Sequence, residues 1–136
     1  MDINDIKVDS ERVEQGDWIG NIPEMGDLRL KVRGISNADY QRMMQRQIGA
    51  IPRNKKAGGR IDPVEMERVG AVCLFATVLL DWDGVKQNGV AVPYDKDLAR
   101  KLCTEPDFRR FRNAVAWAAG EIDGSNAEAE AEAEGN

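Results

Sequence analysis

Two carboxylates are spaced so that they could do chemistry. The segment Asp81-Trp82-Asp83-Gly84 carries two aspartates two residues apart, directly after the apolar run Val69–Leu80. A carboxylate in the first position can attack phosphorus, and one in the second can carry the proton of the leaving group. Phosphoryl transfer is therefore the sharpest chemical hypothesis that these residues support. The chain has no histidine, which removes the commonest general base and metal ligand.

The surroundings of these aspartates do not favour catalysis. In haloacid-dehalogenase-like phosphatases an Asp-x-Asp-Gly motif follows a buried strand near the start of the chain and needs a lysine, a Ser/Thr site and a later acidic pair. Here only 52 residues follow Gly84, and they offer no second Asp-rich strand end. Asp62-Pro63-Val64-Glu65 is a strong helix start, so we expect Asp81 to follow a helix and not a strand.

No other arrangement of side chains predicts a reaction or a ligand. A calcium loop of the EF-hand type fails, because a loop that starts at Asp81 has glycine at its fourth position and not at its sixth. The sequence also lacks a Walker-type phosphate loop, a paired CxxC and a dinucleotide fingerprint. We therefore predict a protein that is not an enzyme, with no catalytic, cofactor-binding or metal-binding residues.

The charge is distributed unevenly along the chain. Of 24 acidic residues, five follow Ile122, which leaves 19 acids against 19 bases in residues 1–122. A neutral body argues against a nucleic-acid binder, which needs many cations to displace counterions. Basic side chains do alternate with apolar ones near the C-terminus, as on a solvated amphipathic helix. They are Arg100, Lys101, Arg109, Arg110 and Arg112.

Cysteine usage and hydropathy suggest where the protein works. Cys73 and Cys103 lie 30 positions apart, and no secretory leader is evident, so we expect free thiols in a reducing cytoplasm. The apolar run Val69–Leu80 is far short of the roughly 20 residues that span a membrane. We therefore expect no membrane partner.

The order of patterns predicts one α+β domain, mainly α. Residues 1–15 are weakly patterned and expected to be loosely ordered. A short antiparallel β element follows, with Leu28–Arg33 alternating between apolar and basic positions. Helices are predicted from a cap at Ser36 or Asn37 to about Gln47, from Pro63 through Leu80, after Asp95, and from Pro106 to Ile122. Residues 16–122 form the folded domain, and residues 123–136 form a disordered acidic tail.

Five side chains are candidates for contacting a protein partner. Met43 and Met44 could form an adaptable patch, although their helical spacing with Tyr40 and Ile48 is more typical of a core. Tryptophans beside turns are often partly exposed and can anchor a partner, although they also cap small cores. The five candidates are Trp18, Met43, Met44, Trp82 and Tyr94.

The order of motifs resembles the tail assembly chaperones of long-tailed bacteriophages. It runs through GDWIGNIP, DLRLKV, SNADY, LLDWDGV, QNGVAVPYDKDLARKL and EPDFRRFRNAV, over residues 16–122. Members of that family commonly show a Trp-Asp-Gly turn, a glycine-to-aromatic edge and a leucine-rich helix. The matching positions are Trp82, Asp83, Gly84, Gly89, Pro93, Tyr94, Leu98 and Leu102.

The resemblance implies a binding role in phage morphogenesis. Such chaperones bind the tape measure protein in the host cytoplasm, help to recruit tail tube subunits and are absent from the finished particle. It also implies that many members exist in short and frameshifted long forms. A minor tail or head–tail joining protein that stays in the virion is the alternative. Self-association is left open.

Overall fold

The computed structural model describes residues 1–126, apart from the side chain of Ala57. The α-helices are α1 (Ser10–Gln15), α2 (Ala38–Gly49), α3 (Pro63–Cys73), α4 (Lys96–Thr104) and α5 (Arg109–Asp123). The strands are β1 (Asp17–Ile19), β2 (Arg29–Val32), β3 (Leu79–Asp83), β4 (Lys86–Gln87) and β5 (Val90–Ala91). Short 3-10 turns cover Arg53–Lys55, Ala57–Gly59 and Pro106–Phe108. The α+β, mainly α, fold is confirmed, while residues 127–136 of the predicted acidic tail lie outside the described residues.

Strand β2 is the centre of a three-stranded antiparallel sheet with the order β1-β2-β3. Leu30 and Val32 are fully buried, whereas Arg29 and Lys31 point to the other face. The predicted alternation is confirmed. It arises because successive side chains of a strand point to opposite faces of its sheet.

The helix starts that the sequence predicted are present. Asn37 accepts a hydrogen bond of 2.8 Å from the backbone N–H of Tyr40, and Asp95 accepts one of 2.9 Å from Leu98. Asp62 accepts from the N–H of Val64 at 2.8 Å, with Pro63 at the first helical position. These side chains pair backbone donors that a helix leaves free in its first turn.

The predicted helix over Val69–Leu80 is correct only as far as Val78. Helix α3 runs into one π-helical turn, Leu74–Val78, and β3 begins at once with Leu79. The expectation that Asp81 follows a helix is therefore wrong, because Asp81 lies inside a strand. An apolar run gives the same pattern in a buried helix and a buried strand, and the edge of β2 decides in favour of the strand.

The N-terminal segment contains a helix that the sequence did not predict. Residues 10–15 form α1, which Asp9 caps. Val13 is 4% exposed, and its carbonyl accepts a hydrogen bond of 3.1 Å from the N–H of Gly34. Glu14 adds hydrogen bonds from Arg33 and from the N–H of Ala38. These contacts hold a helix that has almost no apolar periodicity.

The core consists of two groups of buried side chains. The larger lies between the sheet and helices α4 and α5, and the smaller joins Ile51 to Val69 and Cys73. Helix α5 buries Phe111, Val115, Ala118 and Ile122 in the larger group. Phe108 is 37% exposed, because it lies in the 3-10 turn before α5.

Candidate partner-binding surface

Trp82 is buried and cannot serve as an exposed anchor. Its side chain is 4% exposed, its Nε1 donates to the carbonyl of Val92 at 2.8 Å, and its ring meets those of Tyr94 and Phe111 edge-on. The prediction placed Trp82 beside a turn. The structure places it opposite Leu30 on the inner face of the sheet. Leu79 and Trp82 both face inward although they are three residues apart, because a register shift opposite Lys31 and Val32 leaves Leu80 as an extra residue in β3.

Tyr94 is half-buried against the same aromatic group. Its ring centroid lies 5.0 Å from that of Trp82. Burial raises the pKa of its hydroxyl above the usual value, and the nearby Cys103, Asp81 and Asp95 add to that effect. Tyr94 thus offers a neutral hydroxyl at the edge of the core.

Asp81 and Asp83 lie on the opposite face of β3 from Trp82. Asp81 is paired in register with Lys31 and Asp83 with Arg29, so each carboxylate stands opposite a cation of β2. Asp81 also accepts a 2.8 Å hydrogen bond from the N–H of Trp82. Within residues 1–126 no three His, Cys, Asp or Glu side chains are grouped as a metal site would require.

Trp18 lies on the outer face of the same sheet. It is half-buried, and the guanidinium of Arg29 lies 5.3 Å from the centroid of its ring. Lys31 is its partner on β2. A tryptophan with one covered and one open side can contact another protein.

Met43 and Met44 lie on α2 where it packs against α3. Both are half-buried and contact the group formed by Ile51, Val69 and Cys73. Their position agrees with the core interpretation of their spacing, while the accessible half of each side chain stays at the surface. The five candidates therefore occupy three separate places: the inner aromatic group, the outer sheet face and the seam between α2 and α3.

The structure contains a cleft that the sequence did not predict. It measures about 210 Å³ and lies between the turn after β1 and one face of α5. Its walls include Ile22, Met25, Ala114 and Trp117, and the exposed Arg110 also lines it. The spacing of Arg110, Ala114 and Trp117 puts them on one side of α5, but only the fold brings the turn against that side.

The basic side chains of α4 and α5 are partly engaged within the fold. Arg112 donates to Glu67 at 2.7 Å, and Arg100 lies 5.0 Å above the ring centroid of Phe75. Arg110 makes no ion pair or side-chain hydrogen bond with other residues in the range 1–126.

Both cysteines are free thiols and both are buried. Burial raises the pKa of Cys103 to about 12, although the nearby Arg112 acts in the other direction. Burial also raises the pKa of Cys73. These thiols remain protonated near neutral pH and so are poor nucleophiles.

Comparison with known families decides the origin of the chain. The family described as YdaY prophage protein matches residues 35–136. The chain belongs to this family. It is therefore phage-derived, as the resemblance to phage proteins implied, although the family description does not specify tail assembly. No curated protein and no solved structure matches the chain.

The YdaY region begins just before α2 and includes every later element. Met43, Met44 and Tyr94 lie inside it, whereas Trp18 and the turn that lines the cleft lie before it. No helix within residues 1–126 combines the length and the apolar character that crossing a bilayer demands.

Proposed function

We propose that this protein is a phage tail assembly chaperone that binds the tape measure protein in the host cytoplasm and assists assembly of the tail tube. The observation that carries the proposal is membership of a prophage protein family. The motif order that resembles tail assembly chaperones supports the more specific role. The protein acts by binding, without a cofactor.

The proposed client surface combines the seam between α2 and α3 with the outer face of the sheet. A long helical client presents apolar side chains at many points, and a chaperone needs adaptable apolar patches to meet them. The accessible halves of Met43 and Met44 provide flexible thioether chains. Trp18, stacked beneath Arg29, adds a rigid aromatic surface with a positive charge.

A catalytic role for the two aspartates is not part of the proposal. Asp81 and Asp83 face cations across an antiparallel sheet, and Trp82 between them points into the core. Magnesium-dependent hydrolysis of a generic phosphate ester is the direct check. Hydrolysis that disappears in Asp81→Asn would overturn the binding proposal.

Co-purification with the client tests the proposal. The tape measure gene of the same prophage is expressed together with the unaltered chain. The amount of tape measure protein that co-purifies with the chain, here called retention, is then measured. We expect Met43→Ala combined with Met44→Ala to weaken retention, whereas the exposed pair Gln41→Ala and Gln45→Ala on the same helix leaves it unchanged. Thermal unfolding of both double variants shows whether any loss reflects folding.

Two outcomes contradict the proposal. One is a tape measure protein that stays soluble and unbound in the presence of the parent chain. The other is the chain in purified mature particles, which would identify a structural tail or head–tail joining subunit instead of a chaperone.

A further inference from the structure

Both edge strands of the three-stranded sheet carry the same short motif. Of the three tryptophans in the chain, two directly follow an aspartate, in the segments DWIG (residues 17–20) and DWDG (residues 81–84). The first segment contains β1, and the second ends β3. Strand β2 lies between these two strands, so the motif marks both outer edges of the sheet. The pattern that resembled a phosphatase motif is therefore one of two copies of an Asp-Trp-x-Gly pattern.

In both copies the aspartate bonds to the main chain of the tryptophan that follows it. The backbone N–H of Trp18 donates to Oδ1 of Asp17 at 2.8 Å, and that of Trp82 donates to Oδ1 of Asp81 at 2.8 Å. The two bonds are alike although the two indole rings lie on opposite faces of the sheet. What the copies share is therefore the hydrogen bond at the strand edge and not the position of the ring.

The pairing of β2 shows that the N–H of Trp18 points away from the sheet. Arg33 donates its N–H to the carbonyl of Val78, on the side of β3, at 3.0 Å. Backbone groups alternate between the two edges of a strand, so those of Lys31, two residues earlier, also face β3. Lys31 is the cross-strand partner of Trp18. Because Lys31 faces away from β1, the N–H of Trp18 faces the free edge of β1.

The same alternation turns the N–H of Trp82 outward on the other side of the sheet. Gly34 donates its N–H to the carbonyl of Val13, on the side of α1 and β1, at 3.1 Å. The backbone groups of Leu30, four residues earlier, therefore also face β1. Leu30 is the cross-strand partner of Trp82, so the N–H of Trp82 faces the free edge of β3.

Helix α1 holds the carboxylate at the edge of β1 in place. Nε of Arg12 donates to Oδ2 of Asp17 at 2.9 Å, and the carbonyl of Arg12 accepts the N–H of Gly16 at 2.8 Å. The N–H of Trp18, and then Arg12, hold the pKa of Asp17 below its usual value, so its carboxylate is charged at neutral pH. The donors at the start of β1 are thus already bonded within the chain.

We propose that each Asp-Trp pair closes one edge of the sheet, so that neither an extended peptide nor a second copy of the chain can add a strand to β1 or β3. An open edge presents N–H groups to which another strand can bond. Here a carboxylate oxygen occupies the position that the carbonyl of an added strand would take, and its negative charge repels that carbonyl. Closure of the edges does not depend on which client the protein binds.

Replacing both Asp17 and Asp81 by alanine, or both by asparagine, tests the closure. The two changes remove the same charge, but asparagine keeps an oxygen that can accept the tryptophan N–H. In sedimentation over a range of concentration, we expect the double alanine variant to self-associate at least about tenfold more tightly than the double asparagine variant. The infrared amide I spectrum of the alanine variant should gain intermolecular antiparallel β-sheet as association proceeds.

Asp83→Ala is the matched control, because it removes an exposed carboxylate of β3 that accepts no backbone N–H within residues 1–126. We expect it to associate no more than the unaltered chain. Asp81 is half-buried, so thermal unfolding shows whether its replacement disturbs the fold. Asp17 is exposed, and Asp17→Ala against Asp17→Asn tests the edge of β1 alone. Equal association of the alanine and asparagine variants overturns the proposal, as does association of the alanine variant without added β-sheet.

Discussion

The carboxylate of Asp123 accepts a hydrogen bond of 2.8 Å from the backbone N–H of Ile35, which lies 88 residues earlier in the chain. Its other oxygen accepts one of 2.6 Å from the hydroxyl of Ser36. The last residue of α5 thereby pairs donors in the segment that leads into α2. Gly34 has no room for a side chain, since Asp123 occupies the position of its Cβ. Asp123 is thus part of the folded domain, although the sequence pattern placed it in the predicted acidic tail, residues 123–136.

Replacing Asp123 by alanine should destabilise the whole domain. The substitution leaves the partly buried N–H of Ile35 without its partner. Losing a hydrogen bond to a charged group costs about 1.5–3 kcal/mol. Urea unfolding followed by tryptophan fluorescence measures the loss. The control Glu121→Ala, on the exposed side of α5, should change the free energy of unfolding by no more than about 0.5 kcal/mol. Equal losses in the two variants would show that the hydrogen bonds of the Asp123 carboxylate do not stabilise the domain.

Trp82→Phe should be much more harmful than Trp18→Phe. Phenylalanine keeps most of the apolar contact of Trp82 but leaves the carbonyl of Val92 unpaired, at a cost of about 1–3 kcal/mol. Trp18 makes no hydrogen bond through its indole within residues 1–126, and its ring is half accessible. Thermal unfolding of the two variants gives the comparison. A melting temperature that is lower for Trp18→Phe than for Trp82→Phe would contradict the burial that the structure shows for Trp82.

Stability should fall in acid because several carboxylates are paired in the folded state. Hydrogen bonds from Arg33, then Arg42, lower the pKa of Asp39, and those from Lys55, then Arg68, lower that of Glu65. The folded state therefore binds fewer protons than the unfolded one. The contribution of these two carboxylates to the free energy of unfolding is complete above their unfolded pKa values of 3.8 and 4.5. It is lost as the pH falls through their lower pKa values in the folded state.

Urea unfolding at a series of pH values tests this dependence. Asp39→Asn should show a smaller loss of stability between neutral pH and pH 3 than the parent chain, because one paired carboxylate no longer titrates. The same loss in both proteins would show that Asp39 contributes nothing to the pH dependence.

The thiol of Cys103 should be protected from alkylation in the folded protein. Burial raises its pKa to about 12, so almost no thiolate exists at pH 8 and reagents cannot reach the sulfur. In Cys73→Ser, where Cys103 is the remaining thiol, we expect alkylation to be slowed by the ratio of folded to unfolded molecules. Mass spectrometry with and without urea measures that ratio. Equally fast labelling in both conditions would rule out the burial.

Because of the same thiol, the free energy of unfolding should decrease at alkaline pH. The unfolded thiol ionises near 9.0, whereas the folded thiol keeps its proton until about 12. The folded state therefore binds more protons above pH 9, and the free energy of unfolding falls as the pH rises through that range. Cys103→Ala in the Cys73→Ser background should show a shallower alkaline decline, and the remainder reflects Tyr40 and Tyr94, whose pKa values burial also raises.

Local chemistry explains which features could be predicted from the sequence. Asn37, Asp62 and Asp95 cap their helices through hydrogen bonds to residues two or three positions away, so their signals lie within short windows. The turn Asn88-Gly89 is equally local, because both residues take the positive φ values that a tight hairpin requires.

The features that the sequence did not predict depend on distant partners. Leu79 starts a strand because β2 is there to pair with it, and that pairing then directs Trp82 into the core. The cleft requires the turn at Ile22–Met25 to meet α5, nearly 90 residues later. No local pattern distinguishes these outcomes from a longer helix and an exposed tryptophan.

The passage from helix α3 to strand β3 contains no loop, so it sets which side chains of β3 face inward. The wide turn Leu74–Val78 delivers Leu79 directly into register with Val32. Deleting one residue from that turn would move Leu79 out of register with Val32 and turn its side chain to the outer face of the sheet. We therefore expect natural insertions and deletions around Arg53–Gly59 but not within Leu74–Val78, because the length of this turn fixes the pairing of β3 with β2.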